Sequence, residues 1–306
     1  MTKGEKGLDK AYDDTVDRIG NQEQGTRELA KKVLFWIVYA TRPLTTEELR
    51  HALAVESGTC ILDKKNLCPV SDMVSSCAGL VTVESNIIRL VHYTAQEYFQ
   101  RPGLEIFKDV QRDTIAISCL TYLSYDVFAD GYLTEWRDRE SRLQQNAFFE
   151  YAAQNWLYHV QNIQLNVADL ALKLLVDDGK ASASSQGLFN HCAEQFCGMH
   201  LVAYFDLNDI AVRLLQKKDP DTKDSFGRTP LSYAAEQGNA RLVELLLSYN
   251  VDINSKCHKE HTPLSRAIEG GNAAVVQILL SKGVKTDYQY YLVSIQLHMN
   301  RSIIDG

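Results

Sequence analysis

The residues with the greatest chemical capacity are seven cysteines and eight histidines, and several of them cluster. His191, Cys192, Cys197 and His200 place four donors within ten residues, and Cys257, His258 and His261 add a second group. Zinc sites pair their donors at short, fixed spacings across a longer loop, and neither cluster has the spacing of a finger or ribbon. No metal is expected. Nucleophilic catalysis has no better support. The Gly-x-Ser-x-Gly elbow of the serine hydrolases occurs nowhere. Cys60 and Cys68 lie in a loop without a positioned histidine, and Cys77 and Cys119 fall on apolar helix faces, where a buried thiol is inert. Gly20 and Gly25 have the glycine spacing of a phosphate-binding loop. Thr26-Arg27, however, stands where Lys-Ser/Thr is required, and no apolar strand precedes it. These residues predict neither an enzyme nor a resident cofactor.

Composition narrows the classes further. The longest apolar run, Val33 to Ala40, is too short to span a bilayer. An odd number of cysteines without framework spacing fits reduced thiols in the cytoplasm. Residues 1–25 are polar, lack the apolar core of a signal peptide, and read as a flexible, mildly acidic leader. The net charge is −7, with the acidic excess concentrated in residues 104–198. No segment carries the basic stripe that nucleic-acid binding needs.

The elements that must position any site follow from periodicity. Leu29, Val33, Trp36 and Ala40 predict a helix over 27–41, which Pro43 ends. Thr45 with Glu48 forms a capping box for the next helix. A third helix over 71–78 closes at Gly79, in the left-handed conformation. The runs Leu80–Val83 and Ile87–Val91, joined by Glu84-Ser85-Asn86, predict a hairpin. A second capping box, Thr94 with Glu97, opens another helix. Three helices and a hairpin make a winged-helix arrangement over residues 26–103. The third helix has no Arg or Lys to meet phosphate or guanine, so DNA binding is the least favoured function.

Residues 104–190 read as a helical spacer, with helices over 110–123, 148–160 and 167–176. Asp177 to Gln186 is a linker by its glycine and small residues. Beyond it the sequence repeats itself. Thr229-Pro230-Leu231-Ser232 through Gly238-Asn239 recurs 33 residues later as Thr262-Pro263-Leu264-Ser265 through Gly271-Asn272, and Leu245-Leu246-Leu247 recurs as Ile278-Leu279-Leu280. A worn first copy, Met199 to Asp206, lacks Thr-Pro and has Asp206 at the turn-glycine position, which leaves its helix junction open. Glu260 replaces Gly227, which predicts a different turn there.

The 33-residue period with Thr-Pro-Leu, Ala-Ala, Gly and Leu-Leu resembles the ankyrin repeat, a turn followed by two antiparallel helices. The array spans residues 191–287, with an atypical tail over 288–306. Ala40-Thr41-Arg42-Pro43-Leu44-Thr45, Cys77-Ala78-Gly79-Leu80-Val81 and Leu90-Val91-His92-Tyr93-Thr94 resemble another family. It is the "GPI inositol-deacylase winged helix" that follows the NACHT nucleotide-binding domain in fungal, NLR-like NACHT–ankyrin proteins. The stretch from Tyr151 to Trp156 is similar to that family's helical spacer. This resemblance implies that His92 contacts the ADP diphosphate of a neighbouring NACHT domain. Read from the residues alone, His92 is a histidine held by local hydrogen bonds at a sheet–helix junction.

The ankyrin resemblance also implies partner-binding positions. On the hairpin tips these are Ser225, Phe226, Arg228, His258, Lys259 and His261. On the inner helices they are Tyr233, Glu236, Gln237, Arg266 and Glu269. His200 occupies the repeat histidine position, which bonds between neighbouring turns. The expected protein is mainly α-helical: a winged helix, a helical spacer, then an α-solenoid of about three repeats. It acts without catalysis, as a cytoplasmic adaptor binding a protein partner. The alternative is the regulatory C-terminal part of a NACHT-type NTPase, because the array shows no end-capping motif and the chain contains no nucleotide-binding loop. Neither nucleic acid nor membrane is expected as a partner.

Overall fold

Apolar residues at three- and four-residue steps recur along most of the chain. Accordingly, the computed structural model is mainly helical, with 16 α-helices and a three-stranded sheet among the described residues. It describes residues 3–101, 104–108, 110, 113–161, 163–189 and 194–285, with the side chains of 3–7 and of residue 105 left aside. The tail over 288–306 lies outside the described residues. The chain divides into two units, Met1–Tyr125 with Glu135–His159, and Asp126–Thr134 with Val160–Gly306.

The first unit begins with α1 (Lys3–Gly20), α2 (Gln24–Tyr39), β1 (Leu44–Thr45) and α3 (Thr46–Leu53). It continues with α4 (Val70–Ser76), β2 (Val81–Glu84), β3 (Ile87–Leu90) and α5 (Tyr93–Phe99), and ends with α6 (Thr114–Leu123), α7 (Trp136–Gln145) and α8 (Phe149–Val160). The sheet is antiparallel in the order β1-β3-β2. Ser85 and Asn86 both have positive φ, the conformation of a two-residue hairpin turn whose twist matches its strands. The Thr45 capping box forms as predicted: Glu48 N–H donates to Thr45 Oγ1 at 3.1 Å, and Thr45 N–H donates to Glu48 Oε2 at 2.8 Å. Glu48 also takes both arms of Arg42. The second box does not form. His92 is the N-cap of α5 instead, its Nδ1 accepting from Thr94 N–H at 3.2 Å and lying 2.8 Å from Thr94 Oγ1.

Two expectations about this unit are corrected. The stretch expected as a flexible leader over residues 1–25 holds the helix α1 (Lys3–Gly20), which packs on the winged helix. Tyr12 and Ile19 are buried on one face. Tyr98 Oη donates to Asp13 at 2.5 Å, and Arg101 pairs with Asp9 at 2.8 Å. Nor is the stretch after residue 104 a separate spacer. Trp36, fully buried, meets Phe148 edge-on at 5.4 Å, and Phe148 in turn stacks on Tyr151 and meets Tyr122. Large buried rings of this kind each contribute about 2–3 kcal/mol from apolar burial, so α6 and α8 share the core of the winged helix. Tyr151 Oη accepts from Thr41 N–H at 3.1 Å and donates to His159 Nε2. Burial pushes the His159 imidazole down to about 4, so it is neutral and can accept.

Among its described residues the second unit holds four helix pairs. α9 (Gln164–Val176) and α10 (Asp178–Leu188) precede three repeats: α11 (Gly198–Tyr204) with α12 (Asn208–Leu214), α13 (Pro230–Gln237) with α14 (Ala240–Leu247), and α15 (Pro263–Glu269) with α16 (Ala273–Ser281). The predicted linker 177–186 is therefore a helix. Asp177 caps it by accepting from Lys180 N–H at 3.1 Å, and its small residues 181–185 are all buried. Gly179 is there for close approach: a Cβ at that position would collide with the carbonyl oxygen of Ala129. Segment 126–134, although inserted in sequence within the first unit, packs here. Gln186 clasps both the N–H and the C=O of Leu133, at 3.1 and 2.7 Å, and Lys180 pairs with Asp126 at 2.8 Å.

Candidate functional site

The three repeats are joined by bonds that recur with the sequence period. Thr229 and Thr262 cap α13 and α15 by accepting from Ser232 and Ser265 N–H, with Pro230 and Pro263 in the first turn. Asn239 donates to Ala203 O at 2.7 Å, and Asn272 donates to Glu236 O at 2.7 Å. Asp221 and Asn254 each accept from a backbone N–H one repeat later, at 2.8 Å. His200 does what its motif position implied. Its Nε2 donates to Arg228 O at 3.1 Å and its Nδ1 accepts from Cys197 N–H at 3.1 Å, so burial keeps it neutral and its pKa below the usual histidine value.

The worn first copy keeps its helix junction. Asp206 takes φ +56, the left-handed conformation of Gly238 (+79) and Gly271 (+69). Glu260 likewise does not produce a different turn. It adopts φ +63 where Gly227 has +73, and both tips close with matching bonds, Gly227 N–H to Asp224 O and Glu260 N–H to Cys257 O, each 2.9 Å. The backbone there is set by neighbouring tips, which outweigh the cost of about 1 kcal/mol or more for a side chain in this region.

Each tip is a small hairpin, with Asp224 N–H donating to Arg228 O and Cys257 N–H to His261 O. Successive tips are then stitched together: Ser225 N–H donates to Glu194 O, and His258 N–H donates to Phe226 O, both 2.9 Å. Asp224 organises the first complete tip. Its buried carboxylate accepts from Phe226 N–H and Arg228 N–H, both 2.9 Å, and from Tyr233 Oη at 2.5 Å. The repeat pattern does not mark this residue, because the equivalent position one repeat later is Cys257.

The predicted contact residues separate into two groups. Phe226, Gln237, His258 and Lys259 are exposed, with Ser225 half-buried beside them; Glu269 is exposed as well, but paired. The others are tied up internally. Tyr233 is only 5% exposed and serves as a platform, with the Arg228 guanidinium 3.7 Å above its ring. Burial first, then the Asp224 carboxylate, pushes its phenol pKa well up. Arg228 pairs with Glu236, Glu236 lies 3.5 Å from Arg266, Arg266 pairs with Glu269 at 3.1 Å, and Glu269 lies 2.9 Å from His261. This alternating chain crosses from one repeat to the next and neutralises the charged inner-helix surface.

In the first unit, His92 lines a cleft of about 460 Å³ with Thr41, Arg42, Arg89 and Gln96. Its capping of α5 engages Nδ1, and its ring lies against Tyr93. Gly20 ends α1 and Gly25 is in the first turn of α2, so those glycines form no phosphate loop. Burial holds the Cys77 thiol up at about 12, and Cys119 is raised too. His191 and Cys192 lie outside the described residues. Among the described residues no group of three or more donors could hold a metal ion.

Residues 18–107 match the family described as "GPI inositol-deacylase, winged helix domain", and residues 199–290 match three copies of "Ankyrin repeats". Delta-latroinsectotoxin-Lt1a of Latrodectus tredecimguttatus is 47% identical over 64 residues, covering 20% of this chain and 5% of that protein. A Fowlpox virus (strain NVSL) protein named for ankyrin repeats is 54% identical over 46 residues, 15% of this chain and 7% of its own length. The likeness thus spans a small fraction of either relative. The chain carries a winged-helix domain of this type followed by ankyrin repeats. Both are non-catalytic kinds of domain, and the deacylase in the first name is a label only. No helix among the described residues is long and apolar enough to cross a membrane.

Proposed function

We propose that the protein is a cytoplasmic, non-enzymatic adaptor that holds a protein partner on its ankyrin repeats. The observation that carries this reading is the pre-set tip row. Backbone bonds fix successive tips to one another while Phe226, His258 and Lys259 remain exposed on them. A rigid surface of this kind avoids much of the ordering cost that flexible binders bear, and an exposed aromatic ring at its centre is a side chain of the hot-spot type. The test is selection of binders from a displayed random-peptide library against the full chain, followed by affinity measurement with Phe226→Ala. Loss of about ten-fold or more supports the tips as the contact surface. Binders that ignore Phe226 and follow Arg241 on the outer helix α14 count against it.

A second reading rests on the His92 cleft, where two arginines, Thr41 and Gln96 surround the histidine. In this reading the first unit regulates a NACHT nucleotide-binding domain, with His92 contacting ADP phosphate. Adding a matching NACHT domain and following nucleotide release tests it. His92→Ala accelerates release if the contact exists, and an unchanged rate removes the idea.

A further inference from the structure

The tips carry a pattern that the repeat motif does not dictate. Glu194, Phe226 and Lys259 lie 32 and 33 residues apart, and the carbonyls of Glu194 and Phe226 each accept from the next tip in the same way. They are equivalent positions on three successive tips. All three are exposed, Phe226 by 54%, and among the described residues neither Glu194 nor Lys259 has a charged partner. One edge of the array therefore presents an anion, an aromatic ring and a cation in order. The inner helices next to it are neutralised by their own ion pairs, and Lys223 lines a different cleft, beside the first repeat.

We infer that this edge reads an extended peptide segment bearing a basic, an apolar and an acidic side chain, each about three residues from the next. The inference rests on the protein-binding reading above. The spacing follows from the hairpins. Equivalent positions are separated by two strand steps, one within a tip and one between tips, which is roughly 9–10 Å at the usual strand spacing. A segment in the polyproline II conformation advances about 3.1 Å per residue and completes a turn in about three residues, so side chains three residues apart share one face and bridge one repeat. The basic residue of the segment meets Glu194, the apolar one packs on Phe226, and the acidic one meets Lys259. Complementary charge at both ends fixes which direction the segment runs and rejects segments with the same sign at both ends.

The test uses the full chain and synthetic peptides of the form Lys-Pro-Pro-Leu-Pro-Pro-Glu, whose prolines favour polyproline II, with variants carrying Lys or Glu at both ends and a variant with the spacing shortened to one residue. The mixed peptide binds best, and each mismatched end weakens binding about five-fold, the upper range for an exposed ion pair. Glu194→Lys shifts the preference to the peptide with Glu at both ends, and Lys259→Glu shifts it to the peptide with Lys at both ends. Both sites are exposed, and an unchanged circular dichroism spectrum establishes that the variants are folded. Preference that does not follow these reversals, or the shortened peptide binding equally well, overturns the inference. Library binders that depend on Phe226 yet ignore both charges overturn it while leaving the protein-binding reading intact. A library that yields no binder at all overturns both.

Discussion

Replacing Asp224 tests how the tip row is held. The carboxylate takes two backbone N–H groups and the Tyr233 hydroxyl, and it is only 3% exposed. Bonds to a charged acceptor are each worth about 1.5–3 kcal/mol net, and orphaned buried donors add a desolvation penalty. Phe226 is exposed enough for its N–H to find water, so that bond is discounted. Asp224→Ala is then expected to cost about 3 kcal/mol, and Asp224→Asn about 1 kcal/mol, because Oδ1 still serves both backbone groups. Tyr233→Phe removes one bond alone, and the double variant with Asp224→Ala costs less than the sum of the singles, as for groups sharing one network. Urea unfolding followed by circular dichroism gives the magnitudes. At a slope of about 2 kcal/mol per molar, Asp224→Ala lowers the midpoint by roughly 1.5 M. Hydrogen exchange localises the effect at the amides of Phe226 and Arg228. An Asp224→Ala loss below about 0.5 kcal/mol, or unchanged exchange at these amides, refutes the argument.

Three further predictions follow from local geometry. The neutral, buried His159 has a folded pKa depressed to about 4, so the unfolded chain binds its proton first. Stability from this site is complete above about pH 6.5 and is lost as pH falls from there to about 4. The loss is about 2 kcal/mol once partial exposure is allowed for, and His159→Gln flattens that part of the pH–stability profile. Gly179→Ala forces a methyl onto the Ala129 carbonyl and is expected to cost about 2–4 kcal/mol, with faster proteolysis of segment 126–134 as the readout. Glu260 sits in the left-handed region with an exposed side chain, so Glu260→Gly is neutral or stabilising by up to about 1 kcal/mol in thermal unfolding. Glu260→Val costs about 1–2 kcal/mol.

Much of the architecture was readable because it obeys simple periods. The 33-residue repeat located α13 to α16, and the Thr45–Glu48 box located α3. What escaped the sequence escaped for physical reasons. α1 has its buried residues, Tyr12, Thr15 and Ile19, at helical spacing within a charged stretch, too sparse an apolar face to stand out from its polar surroundings. α10 looks like a linker because Gly179 and the serines favour turns in isolation, yet small residues are what allow a helix to pack closely on segment 126–134. Thr94 matched a capping pattern, but His92 reached the helix end first. At the candidate site, residue type nominated Tyr233, Arg228 and Arg266, which tertiary contacts then consume. Burial and pairing cannot be read from type, so the sequence does not mark the buried Asp224, whereas the nominated Phe226, His258 and Lys259 are exposed on the tips.

The central claim is that a protein partner is held on the tip row of the repeats. Amide hydrogen exchange of the full chain, with and without a selected binding peptide, tests it most directly. The account predicts new protection at residues 224–228 and 257–261, with none on the outer helices α12, α14 and α16. Protection on those outer helices with unchanged tips contradicts it.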